Sequence, residues 1–374
     1  KEISALVDKA AAFEGKAAEN ADNLLAVLET MATAGEKIEK AFNYSERLFD
    51  EDQTNTEHQA MNSRVYSLYA DMGSKTAFVD PEILAASEET LEGFLKAKPE
   101  LELYRKQLAE IRRLKEHCLS AEMEKLLAMT AEMSQTPADT FSILNNADFI
   151  FPEIEDENGE KARITHGRYG QFMQCANRRV RKDAFEKMYQ TYKQYLNTLA
   201  SLYSGNIKQQ NFHAKARKYA SSLEAAVNEN NVSPSVYYNL IDTVNKNLDK
   251  MHAYVALRKK CLGLDEMHMY DIYTPMIPDM TKKIPFEEAK ETVLKALAPL
   301  GKDYVNKVKE GFENRWIDVY ENQGKRSGAY SAGAYGCHPY VLLNYNGTLD
   351  DMFTLAHEMG HAMHSNYSNE AQPY

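Results

Sequence analysis

The sequence contains few cysteines, and they lie far apart. Its 374 residues include four cysteines and no CxxC pair. A disulfide framework or a cysteine-based zinc site would require more cysteines or shorter spacings. We therefore expect free thiols in a reducing compartment, for which the cytoplasm is the default. The cysteines are Cys118, Cys175, Cys261 and Cys337.

The chain also lacks an excess of basic residues and any long apolar run. Its formal net charge of -11 argues against nucleic acid or an anionic membrane surface as the main partner. No stretch approaches the roughly 20 apolar residues that cross a bilayer. Residues 1–20 have neither the basic start nor the apolar middle of a signal peptide. The length allows a large core and two or three domains.

What the sequence has in abundance is helix-forming residues. Alanine, leucine, glutamate and lysine recur with helical periodicity through most of the chain, which predicts a mainly α fold. An aromatic and aliphatic stripe between 185 and 202 predicts a long helix whose tyrosines and phenylalanine pack in the core. The other predicted helices cover 1–14, 21–43, 53–75, 81–95, 99 to about 118, 206–228, 234–262 and 285–314.

Short β segments are predicted between these helices. An acidic turn that contains Asn158 and Gly159 separates two apolar arms, which is typical of a β-hairpin. Three further segments are rich in β-branched and aromatic residues, and the first of them is cut off by Pro275 and Pro278. The hairpin arms are 149–151 and 162–164, and the other predicted strands are 271–274, 316–320 and 339–345.

The strongest motif is His357-Glu358-Met359-Gly360-His361, an H-E-x-x-H pattern. Histidines four residues apart on a helix project from one face, so both can bind one zinc ion. The glutamate is rotated about 100° from the first histidine and can reach a water on the metal. A capping box of Thr348 and Asp351 predicts the helix start. The predicted buried stripe is Leu349, Met352, Phe353, Ala356, Met359, Gly360 and Met363, with His357, His361 and His364 at its border.

The third zinc ligand is not evident in the sequence. The longer pattern H-E-x-x-H-x-x-G-x-x-H would need a glycine and a histidine where this chain has His364 and Tyr367. A site with two histidines and a more distant carboxylate therefore remains. Glu370 is a poor candidate, because it lies at the end of a possible helix without a supporting second helix.

A segment rich in glycine and tyrosine, residues 328–336, precedes the motif. It does not have the Gly-Lys-Ser/Thr of a phosphate-binding loop, and its glycines permit close approach of the backbone to a ligand. An ordinary flexible loop is the alternative. The strand predicted at 339–345 could pair with an extended substrate. The candidate substrate contacts are Gly333, Tyr335, His338 and Tyr340; for His338 a substrate contact or a structural role is favoured over metal binding.

These segments together resemble oligoendopeptidase F, of the thimet oligopeptidase and neurolysin family of zinc metallopeptidases. The resemblance implies a helical, ellipsoidal protein with a deep channel for short peptides and a small β-sheet beside the motif helix. It implies that His357 and His361 bind one zinc ion and that Glu358 is the general base. The resemblance is carried by residues 325–331, 335–336, 338–340, 353–365 and 369–374.

The resemblance also implies what lies outside these motifs. The third ligand, a glutamate, and the donors that steady the tetrahedral intermediate are expected beyond Tyr374. We expect an N-terminal helical domain over 1–112 and a peptidase domain over 113–374 that is incomplete at its C-terminus. The predicted function is zinc-dependent hydrolysis of internal bonds in oligopeptides. A catalytically inactive peptide-binding relative or fragment, and a helical scaffold with a chance motif, are the alternatives. Oligomeric state and cleavage preference stay open.

Overall fold

The structure is a computed structural model that describes residues 1–277 and 283–372. Helices dominate it, which confirms the predicted mainly α fold. The α-helices are α1 (Glu2–Ala11), α2 (Ala21–Glu51), α3 (Thr56–Thr76), α4 (Val79–Ala85), α5 (Glu88–Ala97), α6 (Arg105–Arg113), α7 (Ala121–Met129), α8 (Ala131–Ile143), α9 (His166–Gln174), α10 (Arg178–Gln194), α11 (Leu196–Ala216), α12 (Ser222–Asn228), α13 (Pro234–Lys246), α14 (Leu248–Cys261), α15 (Phe286–Ala296), α16 (Lys302–Glu313) and α17 (Leu349–Ala371). The strands are β1 (Glu153–Glu155), β2 (Lys161–Arg163), β3 (Ile317–Asp318), β4 (Tyr330–Ala332) and β5 (Tyr340–Leu342).

The chain forms two compact units, each built from separate stretches of sequence. The first consists of Lys1–Phe49, Asn55–Phe141 and Ser201–Pro234. The second consists of Asp50–Thr54, Ser142–Ala200 and the chain from Ser235 onward. A domain boundary after residue 112 stays a prediction.

The first unit has a core of aliphatic side chains from its N-terminal helices. Leu24, Val27 and Leu28 of α2 are almost completely buried, together with Ile83 of α4. Leu101, in a 3₁₀ turn that begins at Pro99, is also fully buried. The single helix predicted from 99 to about 118 is instead divided into this 3₁₀ turn, α6 and a second 3₁₀ turn at Lys115–His117.

The predicted hairpin is present, with its strands nearer to the turn than predicted. β1 and β2 pair antiparallel, with Glu155 opposite Lys161, and Gly159 adopts a positive φ of 82° in the turn. Phe149 and Phe151 lie before β1 and contact Tyr192 of α10. Aromatic packing and Pro152 therefore take the place of strand pairing in the first predicted arm.

The strand predicted at 271–274 is wrong. Residues Met269–Asp271 form a 3₁₀ turn, and the Asp271 carboxylate accepts a hydrogen bond from the backbone N–H of His268 at 3.0 Å. Arg178 and Arg181 of α10 also bind this carboxylate. A buried carboxylate is stable in its charged form only when it has hydrogen-bond or ionic partners. The tight turn places the Asp271 carboxylate next to them.

A three-stranded sheet precedes α17 in the second unit. β5 lies in the centre, parallel to β3 and antiparallel to β4. The strands predicted at 316–320 and 339–345 are present in shorter form. β4 falls in the segment rich in glycine and tyrosine and was not predicted.

No helix in the described ranges is both long enough and apolar enough to cross a membrane. The four cysteines are not joined in disulfides.

Candidate metal centre

The helix that carries the H-E-x-x-H motif begins as predicted. Thr348 Oγ1 accepts a hydrogen bond from the N–H of Asp351 at 3.1 Å, and the Asp351 carboxylate accepts one from the N–H of Thr348 at 2.8 Å. This reciprocal capping box satisfies two of the backbone donors that a helix start leaves unpaired. The start of α17 is thus determined locally.

One face of α17 is buried against the sheet. Leu355, Met359 and Ala362 are fully buried and pack in one cluster with Trp316 and Val341. This cluster holds the helix against β5 and against the chain just before β3. The orientation of the motif therefore depends on apolar packing on the opposite side of the helix from the histidines.

The predicted buried stripe was wrong in part. Met359 and Met363 are buried, but Leu349 and Phe353 are 47% and 64% exposed. The buried face centres on Leu355 and Met359, about one residue step, or 100°, from the centre of the predicted stripe. Apolar residues occur on both flanks of the helix, so their periodicity alone does not identify the flank that packs.

The two motif histidines lie side by side on the exposed face of α17. The Nε2 atoms of His357 and His361 are 3.1 Å apart, and their ring centroids are separated by 4.7 Å. Zn–N bonds are about 2.0–2.1 Å long. Two nitrogens 3.1 Å apart therefore subtend about 98° at a shared metal ion, close to a tetrahedral angle. The pair fits zinc.

Glu358 lies between this exposed face and the buried face. Its side chain is 7% exposed. Within residues 1–277 and 283–372, no group forms a hydrogen bond with its carboxylate. A buried carboxylate normally has such partners, so the oxygens of this one remain open to a hydrogen-bond donor.

No third metal ligand accompanies the histidine pair in the described residues. They contain no group of three or more histidine, cysteine, aspartate or glutamate side chains placed to hold one ion. Glu370 Oε1 accepts a hydrogen bond from Asn366 Nδ2 at 2.8 Å, one turn away on α17. His364 is exposed further along the same face.

Comparison with known families identifies this arrangement. The family model described as peptidase family M3 matches residues 171–374, which include the histidine pair and Glu358. The chain belongs to peptidase family M3. A second family model, described as oligopeptidase F, matches residues 82–151.

Known proteins align with this chain over all or nearly all of its length. Oligopeptidase PepF of Bacillus subtilis is 45% identical over 372 residues, 100% of this chain and 56% of the relative. Group B oligopeptidase PepB of Streptococcus agalactiae is 38% identical over 373 residues, 100% of this chain and 62% of the relative. The crystal structure of oligoendopeptidase F from Enterococcus faecium is 36% identical, with a TM-score of 0.76, over 98% of this chain and 62% of that one. The chain thus spans less than two thirds of the length of these relatives.

The candidate substrate contacts of this M3 chain lie around the sheet beside α17. The His338 ring stacks on Trp316, with centroids 5.2 Å apart and planes at 2°, and lies 4.4 Å from the Tyr340 ring. Gly333 is exposed directly after β4, where an added Cβ would come within 3.4 Å of Asn369 Nδ2. Tyr335 is half-buried in the loop that leads to β5.

The strand predicted to pair with substrate is paired on both of its sides. The N–H groups of Val341 and Leu343 donate to carbonyls of the β3 segment, at 2.7 and 2.8 Å. Successive residues of a strand direct their backbone N–H and C=O groups to opposite sides. The backbone groups of Tyr340 and Leu342 therefore face β4. β5 therefore presents no free edge, and the prediction that it pairs with substrate is wrong.

β4 is one of the two edge strands of the sheet in this M3 chain, and β3 is the other. Ser331 is opposite Val341 in the antiparallel ladder. Because the backbone of Val341 faces β3, Ser331 occupies a pair that is not hydrogen-bonded, and its N–H and C=O point outward. This edge strand was not predicted from the sequence. The alternation of tyrosine with small residues between 328 and 335 was the available signal, although the glycines weaken it.

Proposed function

We propose that the chain carries the zinc-binding part of an endopeptidase that hydrolyses internal bonds of short oligopeptides. The observation that carries this proposal is the pair of Nε2 atoms of His357 and His361, 3.1 Å apart, with the buried Glu358 between them in sequence. Membership in peptidase family M3 supports it, as do relatives that are named oligopeptidases. An oligopeptide is the substrate, and nucleic acid and membranes are not expected partners.

His357 and His361 would hold one zinc ion, with a glutamate beyond Tyr374 as the expected third ligand. When bound, zinc would polarise the scissile carbonyl and lower the pKa of a water molecule towards neutrality. Glu358 would accept a proton from the attacking water and pass it to the leaving nitrogen. Its lack of hydrogen-bond partners in the described chain leaves both carboxylate oxygens available for this transfer.

The outer edge of β4 is the proposed position for an extended peptide. The outward N–H and C=O of Ser331 could form ladder hydrogen bonds with substrate. The absent side chain of Gly333 would allow the peptide to approach the backbone closely. Tyr335, His338 and Tyr340 would contact side chains of the substrate. We further propose a cytoplasmic location, supported by the free cysteines.

Replacement of Glu358 by glutamine tests the mechanism. In protein expressed from the complete reading frame, Glu358→Gln should lower kcat on a quenched fluorescent oligopeptide by about 10²- to 10⁴-fold, the usual contribution of a general base. Bound zinc, measured by elemental analysis, should stay at one ion per active site. Glu370→Gln, an exposed glutamate on the same helix, is the matched control and should leave kcat unchanged.

The outcomes separate the proposal from its alternatives. Turnover by Glu358→Gln at the wild-type rate would refute the general-base assignment. Wild-type protein that binds the peptide but contains no zinc and does not cleave would indicate an inactive peptide-binding relative. Zinc content that survives His357→Ala unchanged would indicate a chance motif.

A further inference from the structure

Asp50 joins the last turn of α2 to the segment that leads into β4. Its side chain is completely buried. The carboxylate accepts a hydrogen bond from the Tyr330 hydroxyl at 2.6 Å, and Arg326 Nη1 lies 3.3 Å from the same oxygen. The Asp50 carbonyl also accepts a hydrogen bond from the Arg326 N–H at 2.8 Å. Asp50 thus contacts both Arg326, which precedes β4, and Tyr330, which begins it.

The stability of α2 does not account for an aspartate at this position. The carbonyl end of a helix carries a partial negative charge, which disfavours a carboxylate in the last turn. Burial of the carboxylate adds a desolvation cost that its partners must offset. Asp50 is the residue before the last of α2, whereas Arg326 and Tyr330 lie 276 and 280 residues away in sequence. The aspartate therefore serves the contact with Arg326 and Tyr330.

Tyr330 connects this anchor to the peptide-binding edge. It is the first residue of β4 and pairs with Leu342 across the ladder. Its backbone is therefore held by β5 and its hydroxyl by Asp50. Ser331 follows directly, with its N–H and C=O facing outward. A strand of three residues with one neighbouring strand has few ladder bonds of its own, so an external anchor limits fraying of the edge.

Other contacts also hold the segment before Tyr330. Gln53 donates its N–H to the Gly324 carbonyl at 2.8 Å. The Asn344 amide donates to the carbonyls of Arg326 and Gly328 at 3.0 and 2.8 Å. These contacts fix the path of the chain, and the contact of Asp50 with Tyr330 extends into the strand itself.

We propose that Asp50 is a positioning residue that, through Tyr330, holds β4 in the conformation that presents Ser331 to an extended peptide. The inference rests on the proposed function and deepens it. Asp50 does not contact substrate or zinc, so its loss weakens peptide binding and leaves the chemical step and the metal site intact.

Tyr330→Phe removes only the hydroxyl and is the primary test. We expect KM for the oligopeptide to rise about three- to tenfold, the order expected for one lost hydrogen bond. The value of kcat and the zinc content should stay within about twofold of wild type. Asp50→Asn should have the same or a larger effect on KM. In the double variant the effects should be less than multiplicative, because both changes remove one contact. Tyr44→Phe, at an exposed tyrosine, and Asp183→Asn, in an exposed ion pair, are the matched controls.

A binding measurement makes the test independent of turnover. In the Glu358→Gln background, the Kd of an uncleaved peptide should weaken by the same three- to tenfold factor when Tyr330→Phe is added. Unchanged KM and Kd in Tyr330→Phe would overturn the role of Asp50 even if Glu358→Gln is inactive. A fall in kcat or zinc content with unchanged KM would overturn it as well. Full turnover by Glu358→Gln would instead contradict the proposed mechanism.

Discussion

The buried ion pair between α10 and the 3₁₀ turn at 269–271 should make the second unit sensitive to the loss of either partner. Asp271 is completely buried, and Arg181 Nη2 donates to its Oδ1 at 2.8 Å. Arg181 is itself only 3% exposed, whereas Arg178, the second partner, is 41% exposed. Asp271→Asn would leave the Arg181 guanidinium buried without a counter-charge. The loss of one partner of a buried pair costs about 3–5 kcal/mol.

The pKa of Asp271 provides a second measure of the same interaction. Burial alone raises this pKa, but hydrogen bonds from Arg178, Arg181 and the backbone of His268 outweigh it and lower the pKa from 3.8 to about 2. At 1.36 kcal/mol per pKa unit, the ionised form contributes about 2 kcal/mol to the free energy of unfolding. This contribution is present above pH 3.8 and is lost as the pH falls through about 2. The substitution should cost more, because it also leaves Arg181 unpaired.

Urea denaturation followed by tryptophan fluorescence tests these values. The single tryptophan, Trp316, is 3% exposed and lies in the same unit as Asp271. At pH 7, Asp271→Asn should lower the unfolding free energy by about 3–5 kcal/mol with an unchanged m-value. Asp183→Asn, which breaks the exposed pair with Arg179, should cost about 0–1 kcal/mol. Equal losses of unfolding free energy in the two variants would refute the reasoning. So would a difference in unfolding free energy between wild type and Asp271→Asn that increases below pH 4.

Two further predictions concern the packing and the start of α17. A Cβ at Gly311 of α16 would lie 2.8 Å from Trp316 Cε3 and 3.0 Å from Met359 Cε, so Gly311→Ala should destabilise the unit by about 1–3 kcal/mol through overpacking. This exceeds the gain of about 1 kcal/mol in helix propensity, and a higher urea midpoint than wild type would contradict it. Thr348→Ala should cost about 1 kcal/mol through loss of the N-cap and speed amide hydrogen exchange of Asp351 in the first turn of α17. Unchanged exchange there would contradict the assigned cap.

Local interactions explain which parts of the site could be predicted. The capping box of Thr348 and Asp351 and the spacing of His357 and His361 involve residues within four positions of one another. The helix geometry that they produce follows directly from the sequence. The hairpin turn at Gly159 was predictable for the same reason, since its positive φ is a property of the turn itself.

Contacts between distant residues explain the incorrect predictions. Asp271 begins a segment with the composition of a strand. It forms a buried ion pair with Arg181, which is 90 residues away in sequence. The predicted strand at 339–345 has the composition of a strand but lies in the centre of its sheet, which only the pairing of β3 and β4 determines. Phe353 belongs to an apolar stripe and yet is exposed, because Leu355 and Met359 occupy the flank that packs.

The sequence by itself determined that the protein is mainly helical and that a capped helix carries two histidines and a glutamate on neighbouring faces. These features depend on interactions within a few residues, so composition and spacing are sufficient to specify them. The tertiary structure alone decided that Glu358 is buried while His357 and His361 are exposed, and that β4 forms one edge of the sheet. It also decided that Asp50 meets Tyr330. These three features depend on contacts between residues that are far apart in the sequence. Local sequence patterns do not specify such contacts.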